Sequence, residues 1–344
     1  MTRWTRPRRS AQPSGWLIAV ALFALLPGAS GAQEVEGLNM RYFTERQSQD
    51  GATEIYDPQA ASVAKPEIFE GSPVVLPEVA RITFSMPNGT PALCTGIALA
   101  GNKVLTAGHC GCADSSGYRV TFPTNPTARQ MTFRLRAAPV VFPGYSCDAA
   151  GKPQPGRDLS ILTLDQEIAG LRPPPIGQMA LPFEDRVKRL FVAGYGRIES
   201  GRFPDGLLGA FSRVRDYFCA RGYVDGSTCA MFREFVLSDL PSSAVPGADS
   251  CDGDSGGPVY WFGAPQGPGE DRKLQEHRFL LGIVSRALDG VPQFGITGCG
   301  GGGIYIAVGH VDVVAWLSLN DIPVTTGLNA TRFAEIPGTG GSTR

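Results

Sequence analysis

Three short runs carry side chains that could do chemistry together. Ser255 sits in Ser250-Cys251-Asp252-Gly253-Asp254-Ser255-Gly256-Gly257-Pro258-Val259, His109 in Leu105-Thr106-Ala107-Gly108-His109-Cys110, and Asp158 in Gly156-Arg157-Asp158-Leu159-Ser160-Ile161-Leu162. A serine hydroxyl is a weak nucleophile near neutral pH and needs a base to take its proton as it attacks. His109 is the credible base, because His277 lies in the charged run Asp271–Arg278 and His310 directly precedes an apolar C-terminal stretch. Asp158 can hold the imidazole in one tautomer and stabilise it once charged. It leads into Leu159–Leu164, which puts it at the mouth of a buried strand. Such a set suits acyl transfer through a covalent ester, with water as the final acceptor.

Attack on a carbonyl creates an oxyanion, which needs donors fixed in place beforehand. The backbone N–H groups of Gly253 and Ser255 would supply them, and a side chain at 253 would obstruct the required peptide orientation. Gly256 and Gly257 let the backbone pack closely behind the serine.

The order His, Asp, Ser, with intervals of 49 and 97 residues, together with the run Gly-Asp-Ser-Gly-Gly-Pro, resembles the trypsin/chymotrypsin-like serine peptidases. The resemblance runs from about Ile68 to about Asn320. It implies an all-β fold of two six-stranded antiparallel β-barrels with the active site in the cleft between them, and a short C-terminal helix at Val311–Leu317. The residues themselves point the same way. Short apolar stretches recur between turn signals at 80–84, 96–99, 103–106, 119–122, 159–164, 189–193, 279–285 and 304–308, the rhythm of many short strands. The seam between barrels is expected near 172–180, at Arg172-Pro173-Pro174-Pro175. Gly194-Tyr195-Gly196 resembles the family's Gly-Trp-Gly turn opening the second barrel.

The resemblance also assigns roles around the central residues. Ser285, in Gly282-Ile283-Val284-Ser285, matches the family serine that hydrogen-bonds the triad carboxylate. Asp249, six residues before Ser255, stands where trypsin-like members carry the carboxylate at the base of the primary pocket, and Gly303 matches a pocket-rim glycine. Together these imply cleavage after Arg or Lys. Two positions depart: Arg286 stands where the family usually has Trp, and Ala287 where Gly is common. A cation at 286 is expected to favour acidic residues further upstream in the substrate, and a methyl at 287 to shorten the pocket. Ile68-Phe69-Glu70-Gly71 resembles the Ile-Val-Gly-Gly start of the mature enzymes. Cleavage after Glu67 would free the Ile68 ammonium to pair with buried Asp254, so a zymogen is implied. Glu67 is itself a departure from the usual Arg or Lys, which implies a separate activating protease.

Composition bounds the remainder. The chain has 344 residues, 42% hydrophobic and 18% charged, with 44 Gly and 28 Pro, ordinary globular material rich in turns. A net charge of −1 argues against a nucleic-acid partner. Arg3, Arg6, Arg8 and Arg9 precede the apolar run Trp16–Leu26, and small residues follow through Ala32. That is the layout of a secretory signal peptide over 1–32, with an apolar run too short for a comfortable membrane span. Residues 33–67 are polar and aperiodic and read as a propeptide. The peptidase domain then covers 68–320, and the Thr/Gly/Pro-rich 321–344 a disordered tail. The expected product is a secreted monomer, extracellular or periplasmic, acting on proteins or peptides without contacting the membrane once the signal is removed.

Eight cysteines in an exported chain read as disulfides. Eight allow 105 pairings, and the residues alone do not choose among them. The resemblance implies Cys94–Cys110, Cys219–Cys229 and Cys251–Cys299, which leaves Cys112 and Cys147. With three His and no Cys-x-x-Cys, nothing suggests a metal site, and the chemistry calls for no cofactor.

Two rivals remain in view. Gly253-Asp254-Ser255-Gly256-Gly257 also fits the nucleophile elbow of α/β-hydrolases. That elbow needs an apolar strand before the serine and a helix after it, whereas Val245-Pro246-Gly247 precedes and Gly-Gly-Pro follows. A catalytically silent binding protein on the same fold is the other, although such proteins normally lose a triad member.

Overall fold

The computed structural model describes residues 71–86, 89–123, 131–147, 152–177, 189–198, 200–219, 229–238, 248–262, 278–288 and 299–324. The signal and propeptide segments, Ile68, and the tail beyond Val324 lie outside them. The described strands are β1 (Ser72–Pro73), β2 (Val79–Ser85), β3 (Pro91–Ala100), β4 (Lys103–Thr106), β5 (Arg119–Phe122), β6 (Met131–Phe133), β7 (Val140–Val141) and β8 (Ser160–Thr163). There follow β9 (Arg189–Gly194), β10 (Leu208–Asp216), β11 (Glu234–Leu237), β12 (Pro258–Phe262), β13 (Arg278–Ala287) and β14 (Gly303–Ala307), then helix α1 (Val311–Leu319).

These strands form two antiparallel sheets. In the second half, β9, β10, β11, β14, β13 and β12 pair in that order and β12 returns to β9, closing a six-stranded barrel. The first sheet runs β6-β5-β2-β3-β4-β8-β7. The segment after β6 also meets the one after β8, through a bridge between Leu135 and Leu164 flanked by Arg136 N–H to the Thr163 carbonyl (2.8 Å) and Asp165 N–H to the Arg134 carbonyl (3.0 Å). β1 pairs with β10, so the first described strand belongs to the second barrel. The chain passes between the sheets through the proline run, where Leu280 N–H reaches the Pro175 carbonyl and Gly177 N–H returns to the Leu280 carbonyl (both 2.9 Å).

The patterning explains the placement. Ala80, Ile82 and Phe84 of β2 are buried and alternate with half-exposed Arg81 and Thr83, as one covered face requires. β11, β12 and β14 are buried along their whole length, the signature of strands covered on both faces. α1 buries Val313, Trp316 and Leu317. The Trp316 ring meets Phe142, just after β7, edge-on at 5.2 Å. The last helix therefore packs onto the first sheet. Ordered chain also runs past the expected limit at 320: Ile322 is buried and its N–H reaches the Leu317 carbonyl at 3.1 Å.

Candidate active site

β4 ends at Thr106 and the chain tightens into a single 3-10 turn, His109–Gly111. The Cys94–Cys110 disulfide pins this turn to β3, and Cys112–Cys147 pins it to the loop after β7. Asp158 stands two residues before β8, which pairs with β4, so both residues leave neighbouring strands at one end of the first sheet. The Asp158 carboxylate is fully buried. Its Oδ1 and Oδ2 lie 3.1 and 3.0 Å from His109 Nδ1, and Oδ1 accepts the His109 backbone N–H at 2.9 Å. Ser285 Oγ donates to Oδ2 at 2.7 Å from the other barrel. A carboxylate so placed can hold a proton on Nδ1, an arrangement that would leave Nε2 free to accept one. Burial, and then the Asp158 charge, push the nearby Tyr145 phenol well above its ordinary range, so it stays neutral.

Ser255 occupies the loop entering β12. Its carbonyl accepts Thr95 N–H from β3 at 2.8 Å, and Cys110 Sγ lies 3.7 Å from the same oxygen. The serine backbone is thus fastened beside the His109 turn. The Ser255 hydroxyl makes no hydrogen bond among the described residues. Such catalytic bonds are often long before substrate binds. Gly253 and Gly256 both have positive φ, +99° and +85°. A β-carbon at 256 would also collide with the Thr95 carbonyl, the Thr106 hydroxyl and the Ala107 N–H, so only glycine fits where the two sheets meet.

Asp254 is fully buried and accepts Gly196 N–H at 2.7 Å and Cys251 N–H at 2.8 Å. Gly196 has no room for a side chain, because a β-carbon there would overlap this carboxylate. Burial is the main force raising the Asp254 carboxyl to about 7, with the charges of Asp249 and Asp252 adding to it against the two amide bonds. Asp249 is likewise buried and pushed up to about 6, although Ser250, Gly300 and Gly302 N–H groups donate to it at 2.7, 3.1 and 2.8 Å. Next to it Ser250 Oγ and Tyr305 Oη lie 3.1 Å apart, and Gly303 packs against both, where a β-carbon would crowd the two hydroxyls. Gly303 and Ala287 face each other across β13 and β14, with Ala287 exposed.

Arg286 lies elsewhere than a free cation would. Its guanidinium forms a two-pronged ion pair with fully buried Glu234 of β11 (Nη1 to Oε1 2.6 Å, Nη2 to Oε2 2.9 Å), and Nη1 also donates to Ser285 Oγ at 3.2 Å. The expectation that this charge faces acidic substrate residues is therefore corrected: the fold itself takes it up. The cysteines pair as the resemblance implied, and Cys112 joins Cys147.

Two contributors escaped the sequence reading. Thr95 is buried and bridges the sheets: its Oγ1 accepts Tyr195 N–H at 3.0 Å and donates to the Gly253 carbonyl at 2.9 Å. A threonine in a strand looks like any other β residue. Glu234 did carry a signal, a lone acid at the head of the apolar run Phe235-Val236-Leu237, since a buried carboxylate demands a partner.

The family model described as Trypsin matches residues 68–317, well over half of the chain. The chain is 29% identical over 241 residues to the cercarial protease of Schistosoma mansoni, covering 64% of this chain and 80% of that protein. It is 31% identical over 189 residues to human kallikrein-8, covering 52% and 66%. With "Trypsin, alkaline B" of Manduca sexta it shares 28% over 252 residues, covering 66% and 91%. A solved structure described as "Structure of GrC" superposes with a TM-score of 0.53 at 23% identity, over 74% of this chain and 99% of that one, a likeness of fold. With that match over most of its length and a β fold to go with it, the chain belongs to the trypsin family and is a trypsin-like serine endopeptidase.

Proposed function

We propose that the chain is an exported endopeptidase that cleaves peptide bonds through Ser255, His109 and Asp158. Ser255 attacks the scissile carbonyl while His109 Nε2 takes its proton. The tetrahedral intermediate collapses to an acyl-enzyme as His109 returns the proton to the leaving amine, and water then hydrolyses the ester by the same route. The N–H groups of Gly253 and Ser255 receive the oxyanion. The observation that carries this reading is the buried Asp158 carboxylate, shared between His109 Nδ1 at 3.0 Å and Ser285 Oγ at 2.7 Å. A binding protein on this fold would have no need of that arrangement. Ser255→Ala is expected to lower kcat/KM by about 10⁴-fold or more and to abolish labelling by a phosphonylating reagent. Full activity in that variant would remove Ser255 from the role of nucleophile, whereas a parent chain that neither cleaves peptides nor takes the label would return it to the binding-protein reading.

The same proposal extends to selectivity and activation. Asp249 is held by the N–H groups of Ser250, Gly300 and Gly302, and its charge would select Arg or Lys before the cut bond. A panel of Arg, Lys, Phe and Leu substrates tests this, and equal cleavage of all four rejects it. Cleavage after Glu67 by another protease would deliver the Ile68 ammonium to Asp254, whose raised carboxyl is supporting ground because a cation would relieve it. An active form whose N-terminus begins well before Ile68 would exclude that route.

A further inference from the structure

We propose that the buried Arg286–Glu234 ion pair is a positioning device for the Asp158 carboxylate, and that its two charges tune the field in which His109 takes up and releases its proton. The inference rests on the triad proposed above. Glu234 is saturated: Oε1 accepts Arg286 Nη1 at 2.6 Å and Gly156 N–H at 2.8 Å, and Oε2 accepts Arg286 Nη2 at 2.9 Å and Ala230 N–H at 2.7 Å. Gly156 lies two residues before Asp158, so the anion holds the turn that delivers the carboxylate. The cation holds the opposite side. By donating to Ser285 Oγ at 3.2 Å, Arg286 Nη1 occupies a lone pair of that oxygen and commits the hydroxyl proton to Asp158 Oδ2 at 2.7 Å. A tryptophan at 286 could bond neither partner in this way, since its indole has one N–H and no fork. A buried ion pair is weak evidence of stabilisation, because apolar residues of similar volume often serve as well. Its geometry points instead to orientation.

The charged and titratable groups around His109 come from several elements. Asp158 precedes β8, with Arg157 beside it donating to the Gly144 carbonyl at 3.3 Å. Tyr145, held neutral by burial, follows β7. Ser255 precedes β12, Ser285 and Arg286 end β13, Glu234 begins β11, and Arg233 next to it pairs with Asp312 of α1. In this set Arg286 reaches Asp158 through Ser285, and Glu234 through the N–H of Gly156 two residues before it.

The test measures the pH midpoint of the acidic limb of kcat/KM, with rates normalised to Ser255 sites titrated by a phosphonylating reagent. Glu234→Gln leaves the cation uncompensated and should move the midpoint down by roughly half to one pH unit, whereas Arg286→Met leaves the anion and should move it up by a similar amount. The double variant should return to the parent midpoint. Arg286→Lys keeps the charge but loses the fork, so the midpoint should hold while kcat falls about tenfold. Unmoved midpoints, or shifts of the same sign in both single variants, would reduce the pair to a structural element. If Arg286→Met yields no titratable sites, Glu234→Gln decides alone: a downward shift supports the proposal and an unmoved midpoint overturns it. Failure of the parent enzyme to react at Ser255 would instead defeat the triad.

Discussion

Asp158 and Asp254 are both fully buried carboxylates at the meeting of the two sheets, yet they are served differently. Asp158 is bonded by an imidazole, a backbone N–H and a hydroxyl, drawn from both halves of the molecule. Among the described residues Asp254 is bonded by two backbone N–H groups, with Asp249 and Asp252 adding like charge. The contrast separates two uses of a buried acid. One is matched to a base that can carry a full positive charge. The other is held on neutral amides, where burial wins and the carboxyl rises to about 7.

Breaking the first should cost the most. Asp158→Asn is expected to lower kcat by about 10⁴-fold while leaving the fold intact, because the amide presents the wrong hydrogen-bonding partner to Nδ1. Rapid-quench turnover would measure it, and a loss under tenfold would mean that Asp158 does not orient the base. Asp254→Asn should cost about 10²- to 10³-fold in the processed enzyme, through a misplaced oxyanion loop. The same change should leave the unprocessed chain at least as stable at pH 8, since it removes a buried charge. Ser285→Ala should cut kcat by about tenfold, because Asp158 keeps its other bonds.

The smallest effect concerns stability of the full chain. Asp254 and Asp249 titrate near 7 and 6 when folded, against an ordinary 3.8. The folded state therefore holds protons that the unfolded state has released. The stability this contributes is fully present below pH 4 and is lost as pH rises through 6 to 7. Thermal melts at pH 5 and 8 should show the lower Tm at pH 8, and Asp254→Asn should narrow the gap. A wider gap in the variant would break the contrast drawn above.

Much of this was legible in the chain. Strands with clean alternation or unbroken apolar runs, such as β2, β4 and β5, fall where the pattern puts them. β10 does not announce itself, because Leu208–Asp216 carries glycine and three charges, two of them on exposed arginines. β11 is only four residues long, and β12 begins with a proline that reads as the end of the catalytic loop. At the site, residue type and order nominated His109, Asp158 and Ser255, and the family resemblance nominated Ser285; the fold bonds His109 and Ser285 to Asp158. Arg286 was misjudged because its partner sits 52 residues away on another strand, and no local pattern couples the two. Thr95 was missed for a related reason, since its work is done by contacts with two distant turns.

The edge-on contact of Trp316 with Phe142 joins side chains that leave the ribosome far apart in time. The hydrophobic seal of the N-terminal sheet thus waits for nearly the last structured turn of the polypeptide, a closure of high contact order and correspondingly slow. A chain assembled this way stays unfinished during synthesis, and the sheet that carries His109 and Asp158 is fastened only once translation has delivered helix α1.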